Sequence, residues 1–214
     1  MRIIIAGGHG KIALRLERLL GSAAVGLVRN PAHVADVEAV GARAVVCDLE
    51  RASVEEVAAV LDGADAAVFA AGAGPGSGVA RKDTVDRAAS ALLADAAERA
   101  GVRRFVQISS MGAGKPPAPG SDEVWAAYIT AKTRAEEDLR RRDLDWTIVR
   151  PGGLTDDPGT GLIRLEPEVP RGTVPRDDVA AVLAELLRER AAIGRTLELV
   201  SGDTPIPEAV AALR

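Results

Sequence analysis

The chain has 214 residues, 47% hydrophobic and 27% charged, the proportions of one globular domain, which excludes disordered and fibrous classes. Its net charge of −4 offers no global attraction for nucleic acid or an anionic membrane, and 2% aromatic residues leave no stacking platform for single-stranded nucleic acid. Cys47, the one cysteine, forms neither an internal disulfide nor a paired-cysteine metal site, so no metal is expected.

Apolar β-branched runs alternate with alanine-rich helical stretches along the chain. Residues 2–6 read as a buried strand, because Ile3, Ile4 and Ile5 run without polar alternation. That run is too short for a signal peptide, and no stretch approaches the roughly 20 apolar residues of a membrane span. A cytoplasmic, soluble protein is expected. Residues 12–20 carry leucines at helical spacing and stop at Gly21. A strand follows at 24–28, and Pro31 opens a helix ending near Gly41. After a short strand at 44–47, Ser53 is placed to cap a helix that reaches Leu61. Residues 66–71 are another buried strand, followed by a Gly/Pro loop at 72–76. One continuous helix is predicted over 81–100, then a strand at 104–109 and a second Gly/Pro stretch at 111–120. A helix at 123–142 follows, its arginines at 140–142 reading as a solvated end, and then a strand at 146–150. The last third reads as an irregular loop at 151–174, a helix at 178–190 and a strand at 196–200.

Seven strands alternating with helices define an α/β doubly wound, mostly parallel sheet with helices on both faces, a single domain over residues 1–214. Ligands of such sheets bind outside the carboxyl ends of the strands, at the switch point. The loops after strands one, two, four, five and six are therefore the places to look.

The first of them, Gly7-Gly8-His9-Gly10-Lys11-Ile12-Ala13, is a G-x-x-G-x-x-A turn between strand and helix. Gly7 permits the tight turn, Gly10 lets the helix N-terminus approach a pyrophosphate, and Ala13 keeps the helix close to the sheet. Dinucleotide binding follows, with Gly7, His9, Gly10, Lys11 and Ile12 as cofactor-binding residues. At the end of strand two an acid selects the ribose of NAD, whereas an arginine accommodates the 2′-phosphate of NADP. The chain has Arg29 there and no acid, with Lys11 as a second cation nearby, so NADP(H) is preferred and NAD(H) remains possible. Asp48 and Leu49, after strand three, are placed to border the adenine, although Asp48 equally suits a turn.

Tyr128, the one tyrosine, precedes Lys132 by a helical turn in a chain with four lysines. An ammonium beside a phenol favours the phenolate, which suits the pair to proton transfer during hydride chemistry. Ser109 and Ser110 end strand five, where a hydroxyl can meet a substrate carbonyl.

Taken in order, the glycine turn, Phe69-Ala70-Ala71-Gly72, Ile108-Ser109-Ser110 and Tyr128-x-x-x-Lys132 resemble the short-chain dehydrogenase/reductase superfamily over essentially the whole chain. Arg103-Arg104-Phe105-Val106, Val149-Arg150-Pro151-Gly152-Gly153-Leu154-Thr155 and Arg176-Asp177-Asp178-Val179-Ala180 resemble its atypical branch, the NAD(P)-dependent epimerase/dehydratase or NmrA-like proteins. The resemblance implies an NAD(P)-binding Rossmann fold, with Tyr128 as acid/base, Lys132 holding the nicotinamide ribose and Ser110 orienting the substrate. It implies Pro151, Gly152 and Leu154 beside the nicotinamide, and Ala71 and Gly72 along the dinucleotide. Asp86 stands where the superfamily usually has an active-site asparagine, a departure that weakens any transfer of a proton relay. Substrate specificity is left to residues 151–174 and the tail after Ser201, little room for a nucleotide sugar. The expected activity is therefore oxidoreduction of a small carbonyl, quinone-like or flavin-like substrate by a monomer or homodimer, with no nucleic-acid or membrane partner. A non-catalytic NADP(H) sensor is the alternative, and a sugar-nucleotide epimerase/dehydratase comes third.

Overall fold

The run of three isoleucines starts the sheet and shows how it is buried on both sides. In β1 (Ile3–Ala6), Ile3 and Ile5 enter one apolar cluster while Ile4 and Ala6 enter the other, as the two-residue period of a strand requires. The computed structural model describes residues 1–74, 76–117 and 120–214. The Gly/Pro stretches predicted at 72–76 and 111–120 run over Pro75, Ala118 and Pro119, which lie outside the described residues.

From β1 the chain passes through α1 (Lys11–Leu20) to β2 (Ala24–Val28), through α2 (Val34–Ala39) to β3 (Arg43–Val46) and through α3 (Val54–Leu61) to β4 (Ala66–Phe69). The next crossover comprises α4 (Val79–Arg81), a π-helical stretch (Lys82–Ala88) and α5 (Ala89–Ala100), and ends at β5 (Arg104–Ile108). Then come α6 (Glu123–Leu139), β6 (Asp145–Pro151), β7 (Gly153–Thr155), β8 (Leu162–Glu166) and β9 (Thr173–Pro175). The chain continues with α7 (Arg176–Glu189), β10 (Arg195–Ser201), β11 (Thr204–Pro205) and α8 (Ile206–Ala211).

The main sheet has nine strands in the order β11-β8-β10-β6-β5-β4-β1-β2-β3. All seven predicted strands are in it and run parallel. The expected count is corrected by β8 and β11, which add an antiparallel edge. The expected irregular loop at 151–174 is corrected too: it holds β8 and a separate parallel pair, β7 and β9. In β8, Ile163 and Leu165 point inward between exposed neighbours, a half-buried alternation. Helices α1, α2, α7 and α8 supply Leu16, Val37, Val182 and Val210 to one cluster; α3, α5 and α6 supply Leu61, Leu93 and Leu139 to the other. Strand order reverses between β4 and β1, so the loops leaving those two strands flank the switch point.

Local signals explain most helix ends. Ser53 Oγ accepts from the Glu56 amide at 3.2 Å and Glu56 accepts from the Ser53 amide at 2.7 Å, a reciprocal cap for α3. Asp122 caps α6 by accepting from the Trp125 amide at 2.9 Å. The single helix predicted over 81–100 is broken by the π-helical stretch, whose wider i→i+5 turn turns Lys82, Val85 and Asp86 inward. Of the arginines at 140–142, Arg140 and Arg141 are exposed as expected, Arg140 also reaching buried Glu136, whereas Arg142 is largely buried and reaches Asp95, Glu98 and Asp138. Among the described residues, no helix is long and apolar enough to cross a membrane.

Candidate dinucleotide-binding and active site

The glycine turn packs hard against the loop after β4. Gly7 has φ +82°, and a Cβ there would lie 2.7 Å from Ala71 Cα, so both backbone conformation and space demand glycine. The Gly10 amide donates to the Gly7 carbonyl at 2.8 Å, and the Gly8 amide donates to the Leu27 carbonyl at 2.9 Å. Gly10 then starts α1 without a side-chain cap, and the first turn of α1 contains no acid. Its free amides meet the requirement for a phosphate cradle at a helix N-terminus.

Two cavities open along the carboxyl edge of the sheet, of about 290 Å³ and about 1020 Å³. They share His9, Gly10 and the loop at 70–73, so together they make one trough across the switch point. Every sequence-nominated site residue lines one cavity or both.

The smaller cavity holds Gly7, His9, Gly10, Arg29, Asp48, Leu49, Ala71 and Gly72. Arg29 donates to Glu50 at 2.8 Å, and Arg81 donates to the same carboxylate oxygen at 2.9 Å. Partial burial works against ionisation of Glu50, but hydrogen bonds from Thr84, Arg81 and Arg29 prevail and hold its carboxyl below the usual range. Two arginines, Arg29 and Arg81, face two carboxylates, Glu50 and Asp48, in this lining, and both arginines are engaged on Glu50. Lys11 is not part of it: its ammonium pairs with Asp156 at 2.6 Å and faces the larger cavity, which corrects its expected place near Arg29. Asp48 serves the turn, accepting from the Glu50 amide at 3.1 Å, while Leu49 lines the wall. Cys47 also lines it; burial, then the charges of Glu56 and Asp48, push its thiol up, away from a reactive thiolate.

The larger cavity gathers Ile12, Ser110, Tyr128, Lys132, Asp86, Pro151, Gly152 and Leu154, with Ala71 and Gly72 shared. Tyr128 and Lys132 lie one turn apart on α6, as their spacing requires. The ammonium of Lys132 is 5.8 Å from the Tyr128 ring centroid. It is held by Asp86 at 3.1 Å and donates to the Ile108 carbonyl at 3.3 Å, with both charged side chains almost wholly buried. Asp86 also accepts from the Ala73 amide at 3.2 Å, tying the π-helical stretch to the loop after β4. The two strand-end serines differ: Ser109 is buried and donates to Glu136 at 2.6 Å, whereas Ser110 is half-buried on the cavity wall.

Glu136 extends the Tyr128–Lys132 face of α6 by another turn. It is fully buried and accepts from Ser109, from Arg150 at 2.6 and 2.9 Å and from Arg140 at 2.7 Å. This network fastens the helix bearing Tyr128 to β5 and β6. The sequence reading passed over Glu136, Glu50, Arg81 and Lys82. Glu136 stands four residues beyond Lys132, and Lys82 four before Asp86, so helical spacing was the available signal for both. Glu50 and Arg81 carry no local pattern; only the packing of the two loops brings them together.

Fold and site together define a Rossmann-type protein built to hold a nicotinamide dinucleotide. The chain belongs to the NAD(P)H-binding family, whose profile matches residues 7–190. It is 36% identical over 214 residues to YhfK of Bacillus subtilis (strain 168), described as an uncharacterized sugar epimerase, covering 98% of this chain and 99% of that protein. It is similar to a Bacillus halodurans structure provisionally named as an NAD-dependent epimerase/dehydratase, with 34% identity, TM-score 0.91 and complete coverage of both chains. The structure of the oxidoreductase ylbE from Lactococcus lactis is 31% identical with TM-score 0.86, over 100% of this chain and 96% of that one.

Proposed function

We propose that the chain is a cytoplasmic NADP(H)-dependent oxidoreductase acting on a small carbonyl or quinone-like compound, working as a monomer or homodimer without nucleic-acid or membrane partners. One observation carries this reading: Ser110, Tyr128 and Lys132 line the same cavity, which continues into the trough above the glycine turn. The name of the Lactococcus relative agrees with oxidoreduction.

The residues present fit a nicotinamide dinucleotide, because the uncapped start of α1 and the Cβ-excluding Gly7 leave a cradle for a pyrophosphate. Arg29, with Arg81 beside it, would hold the 2′-phosphate, Leu49 the adenine and Lys132 the nicotinamide ribose. Pro151, Gly152 and Leu154 would wall the nicotinamide. When bound, the dinucleotide supplies the hydride. Tyr128 then donates its hydroxyl proton to the substrate oxygen on reduction and takes it back on oxidation, while the Ser110 hydroxyl hydrogen-bonds that oxygen. Asp86 keeps the Lys132 ammonium in place.

The test is NADPH consumption by purified protein with a panel of aldehydes, ketones and quinones. Tyr128→Phe is expected to lower kcat by about 100-fold or more, the usual weight of a general acid. Turnover unchanged in Tyr128→Phe contradicts the assigned chemistry, whereas dinucleotide binding with no turnover across the panel favours a dinucleotide sensor. A sugar-epimerase reading, favoured by the description of the Bacillus subtilis relative, requires purified protein to retain oxidised cofactor and to consume no NADPH.

A further inference from the structure

We propose that Lys82 is a further positioning residue whose charge, added to that of Lys132, supports the phenolate of Tyr128. The proposal rests on the reading in which Tyr128 transfers the proton. In that step the Tyr128 O–H bond breaks, its proton goes to the substrate oxygen as hydride reaches the substrate carbon, and the negative charge stays on the phenol. A cation close to the ring lowers the cost of that charge.

Two ammonium groups are close enough: Lys82 Nζ is 5.3 Å from the Tyr128 ring centroid and Lys132 Nζ is 5.8 Å away. The distances are nearly equal, but the two charges are compensated to different degrees. Lys132 shares its site with Asp86 at 3.1 Å, and a buried pair of opposite charges presents a dipole whose field weakens steeply with distance. Lys82 has no such partner. It donates to the Gly74 carbonyl at 3.0 Å, and no carboxylate among the described residues lies within ion-pair distance of it. It is only 8% exposed, so solvent does little to screen its charge. The fold places it there deliberately: the π-helical stretch brings Lys82 and Asp86 together into the large cavity, and irregular helical turns of this kind recur at functional sites. The other charged groups lining this cavity are Lys11 on α1, Asp122 at the start of α6, and Arg171 and Arg176 before and in α7.

Because Tyr128 is the one tyrosine of the chain, tyrosinate absorbance reports it alone. At a fixed pH of about 9, below the free-phenol range near 10, Lys82→Met is expected to show clearly less tyrosinate than the parent. Its kcat is expected to fall at least about tenfold, with the KM for NADPH changed by less than about twofold. Lys82→Arg, which keeps the charge, is expected to restore both readouts. Lys132→Met is expected to raise the KM for NADPH as well as to lower kcat, which separates its role from that of Lys82. If Lys82→Met does not fold, as judged by circular dichroism, Lys82→Gln is read in the same way. Parental tyrosinate absorbance in the neutral variant overturns the proposal, even if Tyr128→Phe is inactive. A lowered tyrosinate signal in a protein that turns over no substrate upholds the role of Lys82 and overturns the oxidoreductase reading instead.

Discussion

Arg29 and Arg81 meet on one carboxylate oxygen of Glu50 in the lining of the smaller cavity, which Asp48 also lines, so two cations face two acids there. Arg29→Ala is expected to weaken NADPH binding by about 10-fold to 100-fold and to change NADH binding little, since a charge-assisted bond to phosphate is lost only for NADPH. Isothermal titration with both dinucleotides checks this. Glu17 poses a different problem. Its carboxyl is fully buried beneath Gly8 and Gly26, neither oxygen has a hydrogen-bond partner among the described residues, and burial pushes its pKa from 4.5 to about 8. A carboxyl whose folded pKa lies above its unfolded value binds more protons folded, so its contribution to stability is intact below pH 4.5 and is lost as pH rises to about 8. Glu17→Gln is expected to flatten that pH dependence and to be more stable than the parent at pH 8. Denaturant unfolding at about pH 5 and about pH 8 measures both slopes. The same carboxylate explains Gly26 in the middle of β2, where any Cβ would strike Glu17 Oε1, a long-range constraint that no local pattern in the sequence announces.

Helix α6 carries Tyr128 and Lys132, and Glu136 anchors it. Glu136→Ala would leave Arg150 largely buried without its carboxylate, a loss of about 3 to 5 kcal/mol of stability. Thermal unfolding reads that loss directly, and a fall in kcat in parallel is expected if Tyr128 loses its register. The glycine turn is as strict: Gly7→Val is expected to abolish dinucleotide binding, since the β-carbon collides with Ala71 and β-branching opposes positive φ. A titration showing parental affinity in that variant contradicts the cradle. At this scale the sequence was a good guide where side chains carried the pattern, as in the isoleucine run of β1, the Ser53 cap and the Tyr128–Lys132 spacing. It misled where backbone geometry decided: alanine-rich residues 81–100 read as one smooth helix, yet Lys82–Ala88 adopt π-helical bonding. Strand β8 was missed because its short alternation sits among glycines and prolines, and β11 is two residues long.

For the whole molecule, the alternation of strands and helices made the parallel sheet legible, and the sheet made the site legible. Once β1 and β4 flank the point where strand order reverses, the loops carrying Gly7 and Ala71 must meet, and α6 must bring Tyr128 beside them. The antiparallel edge was not legible, because β8 and β11 gain their hydrogen bonds from strands distant in the chain rather than from any local preference. The trough runs from the Arg29 corner to the Tyr128 cavity. The most direct test of this arrangement is the rise in melting temperature of the purified protein with NADPH and with NADH at equal concentration. NADPH is expected to stabilise far more than NADH, since stabilisation by a ligand grows with its concentration relative to Kd. Equal rises would contradict the proposed 2′-phosphate site at Arg29, and no rise with either would contradict the dinucleotide trough itself.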